Sequence, residues 1–269
     1  MSGREARLSC SVLNFVHRRL SDSDLIITSQ RAMEVIKEAG FPGVEVYIRS
    51  SSTEALVPLK KKARELGLAI RSVHFLKPIM NMDYPRCCQV LRHSIQRAAE
   101  LEASLGVLHL PRLLRYQEAL VKCNRVIDTV LKEAEINGII LTIENQGHHR
   151  CHLGLEQLMK SFRSSWLGIT LDLKFLQASG VNFEDFSARL GDYLENVHIN
   201  DYDGQLVDLT GRRHYPRLGQ GNINLSYIGN ILKDLGYTGL FTLESSLSGS
   251  IDELAELKKA KILIGKYFI

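Results

Sequence analysis

Four short apolar runs in the second half of the chain each end at a carboxylate or an imidazole. In the first, residues 138–145, large and β-branched apolar residues are followed by Glu144. Such a run predicts a β-strand that is buried on both faces. Burying a charged carboxylate costs several kcal/mol unless an opposite charge pairs with it. Glu144 is therefore expected at the end of its strand, with a charged partner supplied by another part of the chain.

The whole chain alternates between strand and helix patterns, and no shift in composition marks a linker. Strands are predicted at residues 8–15, 44–48, 69–74, 107–109, 138–144, 166–172, 194–198 and 239–244. Helices are predicted at residues 29–39, 53–66, 85–105, 117–136, 155–162, 182–190, 225–235 and 252–267. This alternation predicts an α/β fold, a (β/α)8 TIM barrel in a single domain over residues 1–269, with a doubly wound open sheet as the alternative.

The last four predicted strands bring polar side chains to neighbouring strand ends, which converge on the active face of a barrel. These strands end at Glu144, Asp172, His198 and Glu244. Three carboxylates held together raise one another's pKa, and a divalent cation removes that repulsion. Oxygen ligands with one imidazole suit Mn²⁺, Mg²⁺ or Zn²⁺. The pattern therefore predicts one divalent metal ion held by these four residues, although each residue alone could cap a helix or lie in the core.

The composition narrows the class of protein. Apolar and charged fractions of 45% and 24% are ordinary for a globular protein. The chain has no apolar run long enough to span a membrane and no apolar signal region at its start, so neither is expected. Five cysteines, with Cys87 and Cys88 adjacent, indicate reduced thiols in a cytoplasmic protein. A net charge of +4 permits an anionic substrate but does not indicate nucleic acid, because the basic residues are spread along the helices.

Several short segments accompany the four strand ends. They are residues 41–45, 144–145, 198–201, 218–221 and 244–245. Together they resemble the xylose-isomerase-like barrel superfamily, over essentially the whole chain. That superfamily includes sugar isomerases and epimerases, inositol-catabolism enzymes and apurinic/apyrimidinic endonucleases. In its epimerase branch, one metal ion is held by residues that match Glu144, Asp172, His198 and Glu244.

The resemblance implies a metal-dependent isomerase or epimerase of a sugar, keto-inositol or related hydroxycarbonyl compound. Glu144 and Glu244 would act as acid/base catalysts on opposite faces of the substrate. One would remove the proton beside the carbonyl, and the other would return a proton through an enediolate that the metal stabilises. The expected partner is a small sugar-like molecule, no organic cofactor is expected, and a homo-oligomer is compatible with the family. A dehydratase or lyase could use the same site, and a barrel that has lost catalysis is a further alternative.

The endonuclease branch needs three zinc ions and further ligands. His74 and His109 match two extra histidines on strands three and four. Phe175 stands where a histidine ligand of the third zinc would lie, and Arg212 stands where an aspartate ligand would lie. These departures argue against cleavage of abasic DNA. Phe175 also replaces a histidine that commonly touches the substrate in the epimerases, so the identity of the substrate stays open.

Further residues are predicted to contact the substrate, namely His74, His109, Lys174, Arg213 and His214. His74 and His109 could instead hold a second metal ion or belong to the core. Lys174 lies two residues beyond Asp172, so a continuing strand would point it toward the barrel mouth. We expect no Schiff base there, because nearby carboxylates should keep Lys174 protonated.

Two other features leave alternatives open. The basic residues between 212 and 217 lie between strands seven and eight, where barrels often bind phosphate. The Gly219-Gln220-Gly221 segment there could help to bind an anion or only turn the chain into the next helix. Glu45, early in the second strand, could line the pocket or pair with a neighbouring side chain.

Overall fold

The protein, represented by a computed structural model, is described over residues 7–16, 20–48, 56–76, 82–109, 116–145, 149–208, 214–247 and 252–269. Its eight strands are all parallel and form a closed barrel in sequence order, in which the last strand pairs with the first. The predicted (β/α)8 barrel is therefore confirmed, and the open-sheet alternative is wrong. That one domain extends from residue 1 to residue 269 stays a prediction.

The strands are β1 (Leu8–Ser11), β2 (Gly43–Tyr47), β3 (Ala69–His74), β4 (Leu105–His109), β5 (Ile140–Glu144), β6 (Leu167–Asp172), β7 (Leu194–Ile199) and β8 (Leu240–Leu243). The α-helices are α1 (Asp22–Glu38), α2 (Val57–Leu66), α3 (Tyr84–Glu100), α4 (Tyr116–Ile136), α5 (His149–Phe162), α6 (Leu173–Ser179), α7 (Phe183–Leu190), α8 (Leu225–Asp234) and α9 (Glu253–Phe268). Among these helices, none combines the length and the apolar content that crossing a membrane requires.

Local capping explains where the first elements differ from the predicted ones. The first strand stops at Ser11, whose hydroxyl accepts a hydrogen bond from the backbone N–H of Leu13 and starts a short 3-10 helix. Helix α1 begins at Asp22 and not near residue 29, because the Ser21 hydroxyl accepts from the backbone N–H of Asp24. The predicted long strand and short first helix are therefore wrong at these boundaries.

Helix α6 was not predicted, and it begins directly at the end of β6. The Asp172 carboxylate caps it by accepting a hydrogen bond from the backbone N–H of Phe175. Gly180 ends it in the left-handed conformation, with φ of 69°, which glycine adopts without strain. Lys174 is therefore a helical residue, and the prediction that it continues the strand is wrong.

The interior of the barrel is polar beneath the strand ends, whereas the outer faces of the strands pack against the helices with apolar side chains. On β5, Leu141 and Ile143 alternate with Thr142 and Glu144, and all four are buried. Hydroxyl and amide side chains inside the barrel satisfy one another. The Thr142 and Thr170 hydroxyls lie 2.7 Å apart, and Thr242 Oγ1 donates to Asn196 Oδ1 at 2.9 Å. This hydrogen-bonded layer forms the floor on which the candidate site rests.

Candidate active site

The four residues predicted as metal ligands meet at one end of the barrel. Glu144 and Asp172 are the last residues of β5 and β6, His198 precedes the last residue of β7, and Glu244 follows β8. Strand register places Asp172 beside His198 on the neighbouring strand. One ligand atom from each of the four residues lies within 4.8 Å of all the others. The structure thus brings together the set that the strand ends predicted.

His198 lies at the centre of this group, and both of its ring nitrogens face carboxylates. Its Nδ1 is 3.0 Å from Glu144 Oε1 and 3.0 Å from Glu244 Oε2. Its Nε2 is 3.1 Å from Glu45 Oε2. Burial alone would lower the pKa of His198, but Glu45, Glu144 and Glu244 outweigh burial and raise the pKa well above its usual range. In the absence of another cation, this imidazole is the positive charge that the carboxylates share.

The neighbouring imidazoles do not offset all of the negative charge of the three carboxylates, and the effect is seen at Asp172. Burial raises the pKa of Asp172 to about 7, with further contributions from Glu144 and Glu244. Burial would also raise the pKa of the other two carboxylates. His109 and His198 instead hold the pKa of Glu144 well below its usual range, and His198 lowers that of Glu244 to about 2. Of the three carboxyl groups, Asp172 is therefore the one whose pKa is raised, as expected for carboxylates confined together.

The residues present fit a divalent cation. Asp172 Oδ2 is buried and has no hydrogen-bond partner among the described residues, whereas its Oδ1 caps α6. Three carboxylates and one imidazole are hard or borderline donors that suit Mn²⁺, Mg²⁺ or Zn²⁺. A cation among them would also relieve the excess negative charge. Glu144, Asp172, His198 and Glu244 are therefore the residues that could hold it.

His74 and His109, predicted as substrate contacts, lie against this group in a buried row. Their Nε2 atoms are 2.6 Å apart, and His109 Nδ1 is 2.6 Å from Glu144 Oε2. His74, His109 and Glu144 are close enough to hold a second metal ion, an alternative that the sequence had left open. Whether these imidazoles touch a substrate stays a prediction.

Glu45 belongs to the same buried row, which resolves the alternative left open by its sequence position. It pairs with its neighbours through contacts to His74, His198 and the Ser72 hydroxyl. Burial alone would raise the pKa of Glu45, but His198 and His74 outweigh burial and lower it. In the sequence, the indication that Glu45 is buried and has charged partners is its place between two valines of a predicted buried strand.

Lys174 reaches the segment that follows β7. Its side chain is fully buried, and its Nζ donates to the backbone carbonyl of His214 at 2.5 Å. The same Nζ lies 3.7 Å from the centroid of the Tyr215 ring, and the Tyr215 hydroxyl donates to Glu244 Oε1 at 3.3 Å. Tyr215, which sequence reasoning missed, therefore links Lys174 to Glu244. The ring of His214 itself contacts Asp203 at 2.7 Å, and Arg213 lies outside the described residues.

Gly219 and Gly221 have a structural role in the segment before α8. The buried carboxylate of Asp201 accepts hydrogen bonds from the backbone N–H groups of Gly219, Gly221 and Ile223, at 2.8, 2.9 and 3.2 Å. A Cβ on Gly221 would lie 2.2 Å from Asp201 Oδ1, so only glycine fits there. These amides are directed at a side chain of the protein, which favours the alternative that the glycines turn the chain.

A family model described as a xylose isomerase-like TIM barrel matches residues 33–261. The chain belongs to the xylose isomerase-like TIM barrel family. The resemblance noted from the strand ends and the accompanying segments is thereby confirmed. In this chain the buried polar residues at the C-terminal ends of the strands lie on the face where TIM barrels place their active sites.

Several known proteins resemble the chain over most of its length. An uncharacterised protein of Methanocaldococcus jannaschii is 25% identical over 256 residues, which cover 88% of this chain and 83% of that protein. A D-tagatose 3-epimerase-like protein superposes with a TM-score of 0.76 at 23% identity, over 97% of this chain and 96% of that one. D-psicose 3-epimerase of Clostridium cellulolyticum H10, solved with D-tagatose, superposes with a TM-score of 0.78 at 14% identity, over 97% and 99%. At these identities the solved structures establish the fold.

Proposed function

We propose that the protein is a divalent-metal-dependent isomerase or epimerase of a sugar, keto-inositol or related hydroxycarbonyl compound. The observation that carries this proposal is the buried convergence of Glu144, Asp172, His198 and Glu244 at the active face of the barrel. Membership of the xylose isomerase-like family and the fold shared with ketose epimerases support it. Cys10, Cys87, Cys88 and Cys123 are buried and form no disulfide, which supports the prediction of a cytoplasmic protein.

The four converging residues would hold one divalent cation. When bound, such a cation acidifies the proton on the carbon beside a carbonyl and stabilises the negative charge that develops on the oxygen. Asp172 and His198 would serve only as ligands in this scheme. Asp172 uses one oxygen to cap α6 and keeps the other for the cation, and the ring of His198 is held between carboxylates on both sides.

Glu144 and Glu244 would carry the proton transfer. Each has one oxygen near His198 Nδ1, and each has its other oxygen near a different neighbour. Glu144 Oε2 lies beside His109, and Glu244 Oε1 accepts from Tyr215. Glu144 ends β5 and Glu244 follows β8, and these strands are not neighbours in the barrel, so the two glutamates would approach a substrate from different sides. One can therefore take a proton from one face while the other delivers a proton to the opposite face.

The test is proton exchange in D₂O with a panel of ketohexoses, ketopentoses, inososes and hydroxypyruvate, in the presence of Mn²⁺. Loss of the NMR signal of the proton beside the carbonyl identifies the substrate class. Glu144→Gln and Glu244→Gln should abolish this exchange. The control is Glu195→Gln, which changes a glutamate of β7 outside the three groups of possible metal ligands and should retain the exchange. Exchange that persists in both active-site variants would show that these glutamates do not transfer the proton.

The possible second metal group of His74, His109 and Glu144 gives one rival function specific support. An abasic-site endonuclease of this family would use those residues together with Asp172, His198 and Glu244. The side chain of Phe175 offers no ligand for a third zinc, and its backbone N–H donates to Asp172 Oδ1. We therefore expect no cleavage of abasic duplex DNA with Zn²⁺ added. Efficient nicking that is lost in Glu144→Gln would favour the endonuclease over the isomerase.

A further inference from the structure

Glu45 is a buried carboxylate in the first half of the barrel. It has no role in the proposed proton transfer. It lies on β2 and is 0% exposed. Its Oε2 accepts a hydrogen bond from Ser72 Oγ at 2.8 Å and lies 3.1 Å from His198 Nε2. Its Oε1 lies 3.5 Å from His74 Nδ1. Burying a charged carboxylate costs free energy unless its hydrogen-bond and charge partners are well placed. The partners of Glu45 therefore indicate what it does beside His198.

An irregularity in the barrel brings Glu45 and Ser72 together. In the pairing of β2 with β3, Val44 lies opposite Ile70, but Glu45 lies opposite Ser72, so that Arg71 is passed over. A β-bulge of this kind re-aims side chains and is common beside active sites. Here it sets the Ser72 hydroxyl against Glu45 and fixes the oxygen that faces His198.

Both nitrogens of His198 face carboxylates, but only the carboxylates beside Nδ1 belong to the candidate metal site, whereas Glu45 lies beside Nε2. A neutral imidazole carries a proton on one nitrogen and a lone pair on the other, while an ionised carboxylate only accepts hydrogen bonds. With a cation held by Glu144, Asp172 and Glu244, the ring would turn its Nδ1 lone pair to that cation, and Nε2, which faces Glu45 on the other side, would keep the proton. Nδ1 lies between Glu144 and Glu244, each at 3.0 Å.

We propose that Glu45 is a positioning residue that holds the proton on Nε2 of His198 and thereby directs the Nδ1 lone pair to the divalent cation. This inference rests on the proposed function and deepens its metal site. Removing such a partner from a metal-ligating histidine typically weakens metal binding 10–100-fold. A glutamine at position 45 can still accept through its carbonyl, but it can also donate through its amide, so it no longer selects one nitrogen.

The first test is titration of the metal-free protein with Co²⁺, followed by visible absorption and calorimetry. Glu45→Gln should weaken Co²⁺ binding by about 10–100-fold, with a melting temperature of the metal-free protein close to that of the wild type. The matched control is Glu195→Gln, which should leave Co²⁺ affinity unchanged. A folded Glu45→Gln variant with wild-type affinity would overturn the role of Glu45 while leaving the metal site in place. Failure of the wild type to bind Co²⁺ would overturn the proposed metal-dependent function and this inference together.

The second test needs no variant at position 45 and decides the matter if Glu45→Gln does not fold. Long-range ¹⁵N–¹H spectra of the Zn²⁺-loaded wild type, with labelled histidine, report which nitrogen of His198 is protonated. The expected result is a protonated Nε2 and a metal-bound Nδ1. A proton on Nδ1 with the metal on Nε2 would refute the inference directly.

Discussion

Asp172→Asn should have opposite effects on the stability of the metal-free protein and on its affinity for metal. In the folded, metal-free protein the pKa of Asp172 is raised from 3.8 to about 7 by burial and by the neighbouring glutamates. Each pKa unit corresponds to about 1.4 kcal/mol, so ionising this carboxyl in the folded state costs on the order of 4 kcal/mol more than in the unfolded chain. Asparagine keeps the carbonyl oxygen that caps α6 and removes that cost.

The sign of the pH dependence follows from proton binding. Between about pH 4 and pH 7 the folded wild type holds the Asp172 proton while the unfolded chain has released it. The stability that this group contributes therefore falls as the pH rises through that window. In EDTA, Asp172→Asn should be more stable than the wild type by up to a few kcal/mol at pH 8, and by less at pH 5.

With saturating metal, the wild type should gain stability relative to Asp172→Asn. Loss of a ligand should weaken Mn²⁺ or Zn²⁺ binding by roughly tenfold or more, which removes about 1.4 kcal/mol or more of the stabilisation that saturating metal gives the wild type. Urea unfolding at pH 5 and pH 8, with EDTA and with added metal, measures both effects. The control is Asp185→Asn at an exposed position of α7. A metal-free Asp172→Asn protein less stable than the wild type at pH 8, or one that keeps full metal after dialysis, would refute the reasoning.

Three further predictions concern other parts of the molecule. Borohydride should trap no substrate adduct on Lys174, because its amine is buried and already donates to the segment after β7; a mass shift on that residue would contradict this. Gly221→Ala should lower the melting temperature, since its Cβ would meet a buried carboxylate at 2.2 Å, whereas Gly265→Ala, where nothing lies within 4 Å, should not. Burial raises the pKa of Cys87 to about 11 and that of Cys123 to about 12, so iodoacetamide should label neither thiol until the protein is unfolded.

The sequence predicts features that are visible along a short stretch of the chain, and it does not predict contacts that depend on how distant segments meet. The barrel and the convergence of its last strand ends were within reach, because a charged residue that closes an apolar run, as Glu144 does, is visible along the chain. The contact of Glu45 with Ser72 was not, because it results from a register shift between two strands, and the contact with His198 was not, because it joins side chains across the barrel. Lys174 was misplaced because Asp172 ends a strand and caps a helix at the same time. Tyr215 could not be found, since a loop residue reaches Glu244 only through the path of the folded chain.

The hydrogen bonds of Asp201 have a consequence for how the family can diversify. Asp201 follows β7 and binds backbone amides near the start of α8, and the Asn222 N–H donates to the Tyr202 carbonyl at 2.7 Å. The chain that leaves the barrel after β7 therefore returns to nearly the same point before α8. Doubling the length of such a loop costs only about 0.6 kcal/mol in closure entropy. Evolution or a designer can thus lengthen or shorten this segment to fit substrates of different size, provided that Tyr215 keeps its contact with Glu244.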